Sequence, residues 1–197
     1  SASHPYARSP LLRKGTGATR NLADMVHCLC MLHGQAPGIV DLALLRAEGA
    51  VGDMLAAAAP AFATERAWIT ELLVASGPLP STPGQAESEA ALVGQSRALE
   101  MLGESERRGC AAGAALALLA DWHAIHGILD IAAERFGIDP QPIALPSIAA
   151  ICEVAETSDG KPARKRALNF GAQQLLLQHR GLWDLLEARE SARRETS

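Results

Sequence analysis

Residues 109–137, GCAAGAALALLADWHAIHGILDIAAERFG, decide the fold. The run 109–120 carries no charge and is apolar on every side, which a helix keeps only when other helices surround it. That run is too short to cross a bilayer, and Asp121 ends it. The stretch therefore reads as the central buried helix, about 109–137, of a helical bundle. At 100° per residue, Leu118, Trp122, Ile125, Leu129, Ala132 and Phe136 share one face. His123, His126, Asp130 and Glu134 fall within an arc of about 80° on another. The two histidines sit where the helix changes from buried all round to amphipathic.

Composition extends the same reading to the whole chain. A length of 197 residues with 48% hydrophobic content suits one domain with a sizeable core. Aromatics make up only 4% and alanine is abundant, which favours close helix packing over strands. The expectation is all-α: a single-domain helical bundle of six to eight helices. The net charge of −4 hides basic ends around an acidic body, for residues 21–160 hold six bases against eighteen acids. That balance argues against a nucleic-acid partner. Only three of the bases are lysines, which points to a GC-rich bacterial genome. The N-terminus lacks an apolar core of signal-peptide length, so no membrane role is expected. Cys28, Cys30, Cys110 and Cys152 form neither a CxxC motif nor a disulfide-like spacing, and read as buried thiols in the cytoplasm.

In chain order, residues 1–19 mix Ser, Pro, Gly and Arg without apolar periodicity and read as a mobile N-terminal arm. Residues 20–193 form the bundle and 194–197 a tail. Helices are expected over 19–33, 38–48, 53–59, 61–75, 86–103, 109–137, 147–156 and 163–193. Pro60 should split the third from the fourth, because proline lacks the N–H donor and clashes with the preceding turn. Three prolines and two glycines make 77–84 the clearest loop, and TSDGKP at 157–162 is a second, polar one.

Four histidines, His27, His123, His126 and His179, with Asp24, Asp121 and Asp130 as oxygen donors, have the residue types of a bundle metal or haem site. Asp24 and His27, and His123 and His126, stand three residues apart and so share a helix face. The pattern resembles ferritin-like di-iron bundles in helix order, and Asp24-Met-Val-His27 approximates their Glu-x-x-His motif. The helix around His123 has no Glu three residues earlier, and Glu71 and Glu100 are expected to face solvent, so no di-iron role is carried over. The alternative reading makes His27 and His179 core or boundary histidines and gives His123, Asp130 and Glu134 a wet face. Cys28 beside His27 is no activated nucleophile, because neighbours on a helix point about 100° apart.

Trp68, Trp122 and Trp183, each on an apolar helix face, are expected to be core anchors. Together with His126 and His179 they are also the candidates for lining a ligand pocket. Lys161, Arg164, Lys165 and Arg166 crowd a helix N-terminus, where positive charge opposes the macrodipole. They would suit an acidic partner or the acidic body of a second copy, as in a homodimer. No nucleotide-binding, hydrolase or zinc-protease motif occurs. The whole resembles an uncharacterised bacterial all-helical family. The expected function is a non-enzymatic binding or interaction protein that self-associates or holds a partner or a small apolar ligand. The alternatives are a ferritin-like or haem-binding metalloprotein and a regulator-type ligand-binding domain.

Overall fold

The computed structural model describes residues 3–157 and 161–196. Parts of the expected arm (1–2), polar loop (158–160) and tail (197) therefore lie outside the described residues. Seven α-helices form the bundle: α1 (Ala18–His33), α2 (Ile39–Leu44), α3 (Gly49–Ser76), α4 (Gln85–Gly103), α5 (Cys110–Phe136), α6 (Ile148–Thr157) and α7 (Pro162–Glu195). The fold is all-α, with no strand among the described residues.

α5 packs against all six other helices. Gly109 and Gly137 bound it in the left-handed conformation, at φ 98° and 73°, which a side chain would strain. By length and composition the whole helix would suffice to cross a membrane, beyond what its uncharged run alone suggests. Within the bundle, 72% of its most apolar window is buried, as in a core helix. Its closest partner is α7. A Cβ at Gly113 would overlap the Leu168 backbone, and one at Gly171 the Cys110 carbonyl, so these two helices touch backbone to backbone. The small residues of 109–115 serve that approach.

The split expected at Pro60 is corrected. Pro60 lies inside a continuous α3. Pro60 and Ala56, whose carbonyl loses its helical donor to the proline, are both exposed, so water can satisfy that carbonyl. Over its described part the N-terminal arm makes two 3-10 turns, Tyr6–Arg8 and Pro10–Leu12, and buries Tyr6 and Leu12. Tyr6 N–H donates to His4 Nδ1 at 3.1 Å, which leaves His4 Nε2–H to donate to Asp184 on α7 at 2.9 Å. Asn21 on α1 donates to the Leu11 carbonyl at 3.0 Å. Isolated apolar side chains and backbone acceptors dock this segment, and neither shows as periodicity. At the other end α7 continues to Glu195, through the first residues assigned to the tail.

Candidate functional site

Charged and polar side chains gather inside the bundle at three places. The first is built around Glu65, which sits on α3 between Phe62 and Ile69 in the apolar stripe and is buried. Its Oε2 accepts from Trp122 Nε1 at 2.8 Å and from His126 Nδ1 at 2.8 Å. His126 Nε2 lies 2.9 Å from the Gln141 carbonyl, which can only accept. Acceptors at both nitrogens favour a ring that carries both protons, an imidazolium facing Glu65. Burial works against that charge, but the Glu65 hydrogen bond and charge, with Asp130, outweigh it and raise the His126 pKa above the ordinary histidine value. Trp68 leans over the same ring at 4.9 Å.

The expected wet face of α5 is thus half covered. The connector after α5 contains Pro140, Pro142 and Pro146, which lack N–H donors, and it folds back so that its carbonyls cap the histidines. His123 Nε2 donates to the Pro146 carbonyl at 2.9 Å. Asp130 is half-buried beside His126, at 3.7 Å, and Glu134 is exposed.

The second place is a chain of three groups. His179 on α7 is fully buried, and its Nδ1 lies 2.7 Å from Asp121 Oδ2 on α5. His179 Nε2 lies 2.9 Å from Nε2 of His33, the last residue of α1. His33 packs edge-on against Trp122, centroids 5.4 Å apart. Burial, with His179 adding to it, holds the His33 pKa well below the ordinary value, so this ring is neutral.

The third place ties α7 to α1. Asp24, fully buried, accepts from Arg189 Nε at 2.9 and 3.0 Å and from Arg193 Nη1 at 2.7 Å. Arg193 also donates to Thr82 at 2.7 Å and Asn21 at 3.0 Å. Two arginines on one carboxylate, with further acceptors, make a satisfied structural clamp.

The proposed metal ligands therefore do not converge. Asp24 belongs to the arginine clamp. His27 donates to the Gly77 carbonyl at 2.9 Å, and His123 to that of Pro146. His126 with Asp130 belongs to the Glu65 cluster, and His179 to the chain through His33. No group of three or more His, Cys, Asp or Glu among the described residues could hold a metal ion. Helical spacing put pairs on one face, but facing helices supply carboxylates, carbonyls and arginines to each pair instead of further ligands.

The candidate pocket residues are also redistributed. Trp122, His126 and Trp68 meet around Glu65, and His179 stands one step away through His33. Trp183 is buried on α7, its Nε1 without a partner among the described residues. None of the five lines the cavity that does reach the polar core. That cavity, about 430 Å³, lies between the end of α1, α2, α3 and α4, with Leu118 of α5 behind it. Ile39, Leu42, Phe62 and Leu99 supply apolar wall, His33 the inner polar group, and Gln35, Ser96, Glu100 and Glu104 a polar rim. Glu100 is exposed as expected, and so is Glu71.

Lys161 and Arg164 join Arg107 and Arg108 around a separate cleft of about 510 Å³ that Glu48 also lines. Lys165 and Arg166 are exposed. Cys28 and Cys110 are buried thiols, Cys30 is half-buried and Cys152 exposed. Burial pushes the Cys28 thiol up to about 12, which makes it unreactive.

Glu65, His33, Arg66 and Arg189 were not singled out from sequence, although Glu65 carried a signal. It is a charge at an apolar-stripe position, the same signature that marks His179 between Leu175 and Leu182. His33 had none, because beside Gly34 it reads as an ordinary helix end. No curated protein and no solved structure is significantly similar to the chain. The family model that does match covers residues 1–194, so the chain belongs to the family of unknown function DUF6975.

Proposed function

We propose that the protein binds a small molecule with both an apolar and a polar part in the cavity between α1, α2, α3 and α4, with His33 as the polar contact at its inner wall. The observation that carries this reading is the junction of a cavity with a buried polar chain. A volume of about 430 Å³ falls in the usual range for ligand sites, and its lining sets Ile39, Leu42, Phe62 and Leu99 beside His33 and a larger polar share that includes Gln35, Ser96, Glu100 and Glu104. A buried histidine on such a wall is the kind of group that fixes a ligand's orientation. The proposed site lies on the α1–α4 side of the bundle and not at the tryptophans.

The test is titration with Nile red, a neutral dye that brightens and shifts to the blue in apolar surroundings. The expected result is saturable binding of one dye per chain. Ser96 is half-buried on the cavity rim, so Ser96→Trp fills the space without entering the core, and should abolish the signal. Unchanged dye binding by a folded Ser96→Trp variant, or none by the native protein, would remove this reading.

A further inference from the structure

The cavity and the polar core meet at one ring, and its hydrogen bonds assign its protons. Asp121 is a carboxylate and only accepts, so the proton between it and His179 sits on His179 Nδ1. In a neutral His179 the Nε2 is then a bare lone pair, and His33 Nε2 must donate to it across 2.9 Å. By elimination, His33 Nδ1 is unprotonated, on a ring that lines the cavity. Carboxylate, imidazole and imidazole form an unbroken line from the middle of α5 to the ligand space.

We infer that Asp121, His179 and His33 form a proton relay opening into the cavity, and that the ligand is a weak acid of the phenol class, bound with transfer of its proton. This rests on the cavity being the ligand site. The O–H proton of the acid goes to His33 Nδ1 while the Nε2 proton of His33 passes to His179 Nε2. No other bond changes. The products are a phenolate facing His33 Nδ1–H and a His179 imidazolium paired with Asp121.

Charge explains why the relay needs two rings. His33 begins and ends neutral, which suits a dry ring that resists protonation. The positive charge settles on His179, where the Asp121 carboxylate at 2.7 Å stands against it in the same interior. Arg66 on α3 is buried, paired with Asp41 of α2 at 2.8 Å, and its charge is felt at His33, which favours a bound anion. Glu100 and Glu104 oppose one, but both are exposed at the rim, where water and salt screen them. The ligand class follows from proton affinity. Carboxylic acids are already ionised at neutral pH, and alcohols and plain phenols hold their protons more tightly than an imidazole does; an acidic phenol carrying an electron-withdrawing group comes near the imidazole and brings a ring for Phe62 and Leu118.

The test uses 4-nitrophenol, which turns yellow as the phenolate, in buffer acidic enough that the free probe is mostly the colourless phenol. With native protein, the probe should displace bound Nile red and give a phenolate band of one equivalent per cavity. His33→Gln keeps a polar contact of similar size but cannot relay, and should bind the probe while losing most of the band. Should that variant not fold, Asp121→Asn takes its place; it keeps an acceptor for His179 but removes the charge that holds the imidazolium. Displacement of Nile red without the phenolate band, or a band that survives the substitution, overturns the relay and leaves the binding site standing. Failure of Nile red itself to bind overturns both.

Discussion

His126 and His33 are each 5% exposed, yet their surroundings push their pKa values in opposite directions. His126 shares the Glu65 acceptor with Trp122, and His33 packs on the same indole ring. Burial alone disfavours the charged form of both. What separates them is what faces each ring nitrogen, above all the Glu65 carboxylate at His126. At its other nitrogen His126 meets a carbonyl, which demands a proton. His33 meets another imidazole, which offers a lone pair and no charge. A buried histidine is thus pushed toward the cation or toward the neutral ring by the neighbours at its two nitrogens, and His33 faces a cavity.

Breaking the charged cluster should have the largest effect. Glu65→Ala leaves an imidazolium and an indole N–H unpaired in the core, and should cost about 3–5 kcal/mol in denaturant unfolding. A loss below about 1 kcal/mol would mean that His126 sheds its proton easily and that the contrast with His33 is not one of charge. Asp121→Asn should cost less, about 1.5–3 kcal/mol, because His179 can stay neutral and the amide still offers an acceptor. Equal costs for the two substitutions would erase the distinction.

The smallest effect is in the pH profile, where the two rings have opposite signs. The His126 pKa is raised in the folded state, so its contribution is full below the unfolded value of about 6.5 and is lost as pH rises through the folded value. The His33 pKa is lowered, so its contribution is present above about 6.5 and is lost as pH falls below it. Stability should therefore peak near the unfolded histidine value of about 6.5 and fall on either side. His126→Gln should flatten the alkaline limb and His33→Gln the acid limb, read from thermal unfolding across pH. Limbs that respond to the wrong variant, or to neither, would reverse the charge assignment.

Much of the bundle was legible because helix signals are local. α5 was readable from its uncharged run and flanking glycines, and its inward face was right at Leu118, Trp122, Ile125, Leu129 and Ala132, all buried. Pro60 misled because a proline's effect depends on whether the lost hydrogen bond faces water. His4, Tyr6 and Leu12 were missed because docking of an irregular segment has no period. Among candidate site residues, spacing showed that Asp24 and His27 share a face but not that Arg189 and Arg193, more than 160 residues later, would claim the carboxylate.

The sequence by itself determined the all-α class, the central helix and the burial of the tryptophans, since periodicity, capping and side-chain volume act within a few residues of one another. Tertiary structure alone decided which way each of these histidine pKa values moves and where the cavity opens. Protonation depends on the atom at the far end of each hydrogen bond, and those atoms come from segments 15 to 146 residues away.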